Sequence, residues 1–459
     1  MFPKKNYLLS GLFTGILSIA LTFSFAKNIL ADENNNPNAN VPKVDQNIEL
    51  ISNIPLLFPQ KLVEIYSARQ FQPIWQSSNS KKSFLKEYAI LALANLNPMI
   101  AKHLNLINSS KEQLTQDLLL SDAFLTYLYY STNVKKHAQT WLYLPNNYQV
   151  KVPEEKLIKR WLNAIKNNQL EHFIQQITNP NKIYQATLVK LIQLILDTNT
   201  PPQEIAKLAI NLQRLRVIPN FEQGIFINIP SYQLYYYRDG KEVLTSKIIV
   251  GKLARKTPVM YSKLSNLVIN PPWTVPERLI NEDLIPKIKK DPSYIYRNGY
   301  TIIDYKGNVI DPYTIDWENI TWKKFPYLIR QVPSHSALGN FKFNMPSAEA
   351  IFLHDTPVRE LFTLKNRALS SGCIRVEKSD ELATFLLKEV GWNEEQKLEI
   401  LENKKTKSVH IPSNNPVYIY YVTTWIENGE MKTLPDIYSY DKEFKLTEAD
   451  INLVKKYLH

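Results

Sequence analysis

The chain has 459 residues, of which 44% are hydrophobic and 21% are charged, and its formal net charge is +12. This length and composition predict two or three globular cores and exclude intrinsic disorder, collagen and a disulfide-stapled miniprotein. Only 11 glycines are present, and none lies between residues 16 and 223. Glycine-poor sequence favours helices, whereas glycine-punctuated, Tyr- and Ile-rich sequence favours strands and turns. We therefore expect an α+β protein with a helical first half and a β-rich second half.

The amino terminus resembles an export signal. Lys4 and Lys5 precede an uncharged, largely apolar stretch over residues 7–26 that ends in a small-x-small pattern. We interpret residues 1–31 as a cleaved signal peptide or, alternatively, as an uncleaved inner-membrane anchor. Both alternatives place the remainder in the periplasm. Residues 32–47 are Asn- and Pro-rich and are predicted to be a flexible tether.

Residues 48–220 are predicted to form a helical scaffold domain. Apolar residues recur at helical spacing over 205–215, directly after a Thr-Pro-Pro start signal, and should form one buried stripe. The segment 183–196 is apolar on nearly every face and is predicted to be a central helix. Three tryptophans of this region are expected to be core residues: Trp75, Trp141 and Trp161.

From Gly224 onward the hydrophobic period changes from helical to alternating. Two alternating runs flank Asp239-Gly240, which predicts a β-hairpin. We expect an antiparallel β-rich domain over residues 221–425, interrupted at 271–339 by an inserted subdomain that acts as a lid. Further strands are expected at 266–270, 350–353 and 417–423. Residues 426–459 are predicted to be a tail with a short helix opened by Thr447 and Asp450.

The densest group of chemically active residues surrounds the single cysteine. His354 precedes Cys373 by 19 positions, and Gly372 and Arg375 flank the thiol in sequence. An imidazole near a thiol can take its proton, and Arg375 adds positive charge that favours a thiolate and could bind a carboxylate. Gly372 lets the amides around Ser371 and Cys373 converge on an oxyanion. An inert buried cysteine and an intermolecular disulfide remain alternatives.

Other functional classes find less support. The histidines are scattered, HExxH is absent and no second cysteine exists, so no metal site is predicted. No glycine-rich nucleotide-binding loop occurs, and we expect no cofactor. Export argues against nucleic acid as the partner of the positive charge. His335, inside the predicted lid, is a secondary candidate for the base.

The segments His354-Asp-Thr-Pro357 and Ser370-Ser-Gly-Cys-Ile-Arg375 resemble the catalytic signature of the YkuD-type L,D-transpeptidases. The resemblance extends through Asn270-Pro-Pro-Trp273 and covers most of the chain after Pro59, where it is closest to the long multidomain Gram-negative subfamily. No peptidoglycan-binding repeat of the Asp-Gly-x-x-Gly type can be found, and the glycine-free stretch cannot supply one.

This resemblance implies a role for each site residue. Cys373 would be the acylated nucleophile, His354 the general base, and the amides of Ser371, Gly372 and Cys373 the oxyanion hole. Phe352 stands where many relatives carry tyrosine and would contact the substrate without a hydroxyl. Trp273 is expected to contact the substrate beneath the lid.

The resemblance also implies a reaction and its partners. The thiolate would attack the third residue of a peptidoglycan tetrapeptide stem and release D-Ala, and a meso-diaminopimelate amine would accept the acyl group in a 3→3 cross-link. Carbapenems would acylate the same thiol. Water or a lipoprotein lysine as acceptor, and a catalytically silent wall-binding scaffold, are the alternatives. A papain-like peptidase is disfavoured because His354 precedes Cys373.

Overall fold

The computed structural model describes residues 43–458, except 145–146, 179–180, 321–324, 413–414 and 442–445. The predicted signal or anchor and most of the predicted tether therefore lie outside the described residues. The tether prediction is wrong for its last five residues, because a helix begins at Lys43. Its residue Ile51 is fully buried in the core, which explains why this segment is helical. No helix among the described residues is long and apolar enough to cross a membrane.

The first half of the chain is helical, as predicted. The helices are α1 (Lys43–Asn53), α2 (Pro59–Ser67), α3 (Ser78–Leu93), α4 (Pro98–Ser109), α5 (Gln113–Trp141), α6 (Glu155–Lys166), α7 (Leu170–Thr178), α8 (Lys182–Leu196) and α9 (Pro202–Arg216). Side-chain caps define several of their starts; the Ser77 hydroxyl, for example, accepts the Ser80 amide at α3. Trp75 and Trp161 pack around Phe124 in one aromatic cluster, which confirms them as core residues.

Helix α8 is less buried than its composition predicts. Tyr184, Leu191 and Ile195 face the core, but Val189 is 56% exposed and Leu196 is 46% exposed. The helix therefore buries one face only. The prediction of a helix that is buried on nearly every face is wrong, because apolar composition alone does not show how many neighbouring elements cover a helix.

Two buried arginines of helix α9 form ion pairs, one within the helical domain and one with the carboxyl-terminal part of the chain. Arg216 donates to Glu87 of α3 at 2.7 Å. Arg214 donates to Asp441 at 2.5 Å, close to the carboxyl end of the chain. A buried charge is costly unless it is paired, so the first contact fixes α9 to α3 within the helical domain, and the second fixes α9 to the carboxyl-terminal part of the chain.

The β-rich half is built on one large mixed sheet. Its strands are β1 (Gly224–Asn228), β2 (Gln233–Arg238), β3 (Lys241–Gly251), β4 (Met260–Lys263), β5 (Asn266–Ile269), β10 (Phe341–Asn344), β11 (Leu353–His354), β12 (Ala368–Ser370), β13 (Ile374–Val376), β14 (Lys407–His410) and β15 (Pro416–Tyr420). Their order is β14-β5-β10-β11-β13-β3-β2-β1-β15-β4, and β12 also pairs with β3. Most pairings are antiparallel, but β1–β15, β11–β13 and β12–β3 are parallel, so the expectation of a purely antiparallel sheet needs this correction.

The predicted hairpin is confirmed. Strands β2 and β3 pair antiparallel across Asp239 and Gly240, whose φ angles of 50° and 72° are those that a tight two-residue turn demands. The strand expected at 350–353 is shorter than predicted, because Ala350 has a φ of 53° and regular pairing begins only at Leu353.

The segment 271–339 forms a small unit of its own. It contains β6 (Trp273–Thr274), α10 (Glu277–Leu279), α11 (Ile285–Lys290), α12 (Tyr294–Arg297), β7 (Tyr300–Ile303), β8 (Val309–Ile310) and β9 (Leu328–Gln331). These strands form a separate sheet in the order β6-β9-β7-β8. Ile288, Ile295, Ile329 and Trp317 fill a hydrophobic cluster that belongs to this unit alone. We refer to residues 271–339 as the inserted unit.

The carboxyl-terminal part carries helices α13 (Ser379–Lys388), α14 (Glu394–Asn403) and α15 (Glu448–Lys455), and the hairpin of β16 (Thr424–Glu427) and β17 (Glu430–Thr433). Strand β16 runs across the boundary that we placed after residue 425. The predicted tail helix is confirmed as α15, with a capping box between Thr447 and Asp450. It packs against α3, α4 and α8 of the helical domain.

Candidate active site

Three adjacent strands bring the predicted site residues onto one side of the sheet. In the parallel pair β11–β13, His354 lies opposite Arg375, and in the antiparallel pair β10–β11, Lys342 lies opposite His354. Directly paired residues project to the same side of a sheet, as do residues two apart on one strand. Cys373 and Phe352 therefore share this side, and the Phe352 and His354 rings lie 5.6 Å apart. This row of five side chains is the candidate active site.

Cys373 is held as a thiol in the resting site. Its Sγ lies 3.8 Å from the Ala350 carbonyl oxygen, which accepts the thiol proton. Burial raises the pKa of Cys373 above its ordinary value, while the Phe352 amide and the charges of Lys342 and Arg375 act in the opposite direction. Burial is the largest of these effects. The charge of Arg375 therefore acts in the expected direction, but burial outweighs it.

His354 is buried and neutral. Its Nδ1 lies 2.5 Å from the carbonyl oxygen of Asp355. A carbonyl can only accept, so Nδ1 carries the proton and Nε2 keeps the lone pair that could take a proton from a nucleophile. Burial, the largest effect, and the charges of Arg375 and Lys342 together lower the pKa of His354 to about 3, although backbone hydrogen bonds with Asp355 and Leu338 act in the opposite direction. The resting pair is consequently a thiol and an uncharged imidazole.

Asp355 fixes the loop that holds His354. Its carboxylate accepts from the Ser379 hydroxyl at 2.8 Å, from Arg359 at 2.9 Å and from the Asn340 amide at 2.9 Å. A carboxylate with this many donors is firmly placed, so its carbonyl presents a fixed acceptor to His354. The motif contains Asp355 next to His354, but the donors come from distant positions that no local pattern reveals.

The loop before Cys373 has a defined backbone geometry. Gly372 has a φ of 122°, a conformation that side chains with a Cβ rarely adopt. The Gly372 amide donates to the Ser370 hydroxyl at 3.1 Å, and the Gly372 carbonyl accepts from Thr257 at 2.7 Å. The Gly372 amide is thus already engaged, which corrects the expectation that three amides form an oxyanion hole. Within the described residues, the amides of Ser371 and Cys373 have no partner.

Two cations beside the thiol have no carboxylate partner in the part of the chain that the structure describes. Arg375 is mostly buried, and its Nε lacks a hydrogen-bond acceptor. The Lys342 ammonium lies 4.3 Å from the centre of the Phe352 ring. Burial lowers the pKa of both groups. Sequence reasoning missed Lys342, because only the long-range pairing of β10 with β11 brings it to the site.

A buried arginine connects the inserted unit to the nucleophile loop. Arg255 donates to Ser371 Oγ at 2.9 Å, to Asp283 at 2.6 Å and to Glu282 at 2.5 Å. The hydrogen bonds from Arg255 lower the pKa of Asp283. Arg255 therefore links Glu282 and Asp283 of the inserted unit to Ser371, the residue before Gly372.

Replacing Arg255 with methionine should release both partners. We expect faster proteolytic cleavage within 277–327 and a fall of roughly 10- to 100-fold in turnover, because Ser371 loses its anchor. Limited proteolysis and steady-state kinetics measure the two effects. Arg330→Met is the matched control, since Arg330 is exposed and, among the described residues, its side chain donates a hydrogen bond to Thr274 alone. Unchanged cleavage and unchanged turnover in Arg255→Met would contradict the coupling.

The pH dependence of Cys373 alkylation tests the neutral resting pair. Cys373 is the single cysteine, so iodoacetamide incorporation reports on it alone. Because burial raises the pKa of this thiol, the rate should climb about tenfold per pH unit from pH 6 to beyond 8.5, without an inflection near 6.5. Lys342→Met should be slower at each pH, since it removes a stabilising charge. A plateau that begins below pH 6 would show a preformed thiolate.

Two candidates from the sequence are not part of this row. Trp273 packs inside the inserted unit, with its ring 6.4 Å from that of Tyr300. His335 is exposed, and its ring packs against Gly299. No contact joins either residue to Cys373 or His354 in the described structure. Nor do three His, Cys, Asp or Glu side chains cluster closely enough, anywhere in the described ranges, to hold a metal ion.

Comparisons with known proteins identify the family of this chain. Residues 222–440 match the model of the L,D-transpeptidase catalytic domain (YkuD), and residues 60–191 match a family model described as a scaffold domain. A Haemophilus influenzae protein named "Putative L,D-transpeptidase" is 52% identical over 405 residues, which span 88% of this chain and 82% of that protein.

Solved structures give a weaker likeness. An L,D-transpeptidase from Mycobacterium smegmatis matches 43% of this chain and 58% of its own at 11% identity, with a TM-score of 0.21. Mycobacterium tuberculosis L,D-transpeptidase 1 matches 42% and 59% at 10% identity, with a TM-score of 0.16. These superpositions are too loose to inform the site. The catalytic-domain match and the close relative show that this chain belongs to the L,D-transpeptidase family, with a YkuD catalytic domain behind an amino-terminal scaffold domain.

Proposed function

We propose that this protein is an exported peptidoglycan L,D-transpeptidase that forms 3→3 cross-links through an acyl-enzyme on Cys373. The observation that carries the proposal is the row of Lys342, His354, Cys373 and Arg375 on one side of the sheet. It combines a nucleophile, a neutral base and two cations within a single surface.

The proposed chemistry begins from the neutral pair. His354 Nε2 takes the Cys373 proton as the sulfur attacks the L-centre carbonyl of the third stem residue. The free amides of Ser371 and Cys373 are the donors suited to the resulting oxyanion. The bond to the terminal D-Ala then breaks, its nitrogen leaves with the proton from His354, and a thioester remains. A meso-diaminopimelate amine attacks this thioester, forms the new amide and restores the thiol.

The two cations suit an anionic peptide. Arg375 and Lys342 lie beside Cys373 without carboxylate partners among the described residues, and their charges already act on the sulfur. A carboxylate of the donor stem would satisfy both and would hold the scissile amide against the thiol. As this carboxylate binds, it also offsets the charge that opposes protonation of His354.

The inserted unit is proposed to act as the lid. It has its own core, and Arg255 joins it to the loop that carries Ser371 and Cys373. Such a cover would exclude water from the thioester and favour the amine acceptor over hydrolysis. Water or a lipoprotein lysine as the acceptor, on the same acyl-enzyme, remains the second candidate function.

Product analysis of purified protein with disaccharide tetrapeptides tests the proposal. A cross-linked dimer that lacks one D-Ala supports transpeptidation. A tripeptide monomer would assign the protein to the L,D-carboxypeptidases. Unchanged substrate, together with an unreactive Cys373, would instead indicate a catalytically silent scaffold that binds the wall.

A further inference from the structure

We propose that a second site, on the far strands of the sheet, binds the sugar strand of peptidoglycan as a run of neutral N-acetylated amino sugars. It is a groove of about 810 Å³ between helix α8, the strands β1, β2 and β15, and the β16–β17 hairpin. We call it the aromatic groove, after the residues that line it: Tyr235, Tyr237, Tyr420 and Trp425. The choice of sugar rests on the proposed function, because stem peptides are carried by such a strand.

The aromatic side chains form faces suited to pyranose rings. Tyr235 and Tyr237 are two apart on β2 and project to the same side of the sheet. Tyr420 of β15 lies opposite Asn228 of β1, and Trp425 lies on β16. Three of the four rings are only half-buried. The apolar face of a sugar ring stacks on such surfaces, which bury area at little cost in side-chain entropy.

The groove also offers hydrogen-bonding groups that the protein leaves unused. The hydroxyls of Tyr235 and Tyr420, the indole N–H of Trp425 and the side-chain amide of Gln233 have no partner among the described residues. Burial raises the pKa of both tyrosines, so their hydroxyls stay protonated donors. None of these four groups is among the buried unpaired atoms of the described residues, so they are open to a ligand, and the hydroxyl and acetamido groups of an amino sugar would replace water on them.

The charges around the groove favour an uncharged ligand. Lys182 and Lys432 contribute two positive charges, and Glu242 and Glu427 contribute two negative charges. A polyanion such as nucleic acid would meet no net attraction here. A glycan whose lactyl carboxyls are consumed in amide bonds to its stem peptides is neutral and fits this balance.

The position of the groove relates it to the reactive thiol. Strand β3 pairs with both β13 and β2: Ile249 lies opposite Arg375, and Thr245 lies opposite Tyr235. Ile249 and Thr245 are four residues apart on one strand, so their side chains project to the same side, about 14 Å from each other. The aromatic groove and Cys373 therefore lie on one side of the same sheet. A glycan strand could therefore bind in the aromatic groove while one of its stem peptides reaches the Cys373 thiol.

The experiment measures binding of chitotetraose, a β-1,4-linked tetramer of N-acetylglucosamine, by tryptophan fluorescence and calorimetry. The full chain is used as the Cys373→Ala variant, which cannot react, so the result does not depend on the proposed chemistry. We expect saturable binding that Trp425→Ala weakens at least tenfold and that Tyr235→Phe weakens a fewfold. Tyr305→Ala is the matched control, because Tyr305 is a 76% exposed ring in the inserted unit; it should bind as well as the parent.

Three outcomes would overturn the proposal. The first is that the parent does not bind chitotetraose, and the second is that the Trp425→Ala and Tyr235→Phe variants bind it as tightly as the parent does. The third is that the parent binds a sugar-free tetrapeptide and that Trp425→Ala abolishes this binding. The last would assign the groove to a peptide. Tyr235→Phe removes one hydroxyl only, so the test stands even where Trp425→Ala fails to fold. Cross-linking by the wild type without chitotetraose binding would remove the groove and leave the proposed function in place.

Discussion

Replacing Cys373 with alanine is expected to abolish D-Ala release and cross-linking, with a loss of at least about 10⁴-fold. Cys373 is the single cysteine of the chain and shares the row with Lys342, His354 and Arg375. Folding should persist, because the sulfur makes only weak hydrogen bonds, with the Ala350 carbonyl at 3.8 Å and with the Phe352 amide, and the residue is half-buried. Product chromatography measures the activity, and thermal unfolding measures the stability.

Cys373→Ser is the matched variant for this test. It keeps a side chain of similar shape and a proton donor for Ala350, but its hydroxyl is a much weaker nucleophile. Both variants should unfold within a few degrees of the wild type. Cross-linking that survives in folded Cys373→Ala would show that another residue carries the acyl group.

Replacing His354 with glutamine is expected to lower the rate of acylation by about 10²- to 10⁴-fold, the range of a lost general base. The resting thiol has a raised pKa, so proton removal must accompany attack, and His354 is the neutral acceptor on the same side of the sheet. Glutamine can still donate to the Asp355 carbonyl but cannot take the thiol proton. Single-turnover release of D-Ala measures the step.

Activity in His354→Gln should recover partly at high pH, where hydroxide removes the proton instead. His172→Gln is the control, since His172 is exposed on helix α7, in the helical domain. A loss below about tenfold at pH 7 would mean that solvent removes the proton directly. It would not favour His335, which lies against Gly299 and outside the row of site residues.

Sequence patterns predicted those elements that depend only on residues close together in the chain. The alternation on both sides of Asp239-Gly240 was sufficient for the β2–β3 hairpin, and the Thr447 capping box was sufficient for α15. His354 ends β11 and Cys373 directly precedes β13, and the parallel pairing of these two strands brings the two ends of the motif to the same part of the sheet.

Features that depend on distant pairing were not predictable in the same way. Lys342 enters the site only through β10, and Arg255 reaches Ser371 across 116 positions. Burial is the largest effect on the pKa of Cys373 and outweighs the charge of Arg375, and sequence does not display burial. Trp273 matched a family segment, yet its half-buried ring packs against the core of the inserted unit.

The most direct test of the central claim is the mass of the enzyme after reaction with excess disaccharide tetrapeptide and an acid quench. The account predicts that the wild-type mass increases by one donor less D-Ala, and that peptide mapping places the whole increase on Cys373. Cys373→Ala should keep its original mass under the same conditions. Release of D-Ala by the wild type with the acyl group mapped to another residue, or release by Cys373→Ala at the wild-type rate, would contradict it.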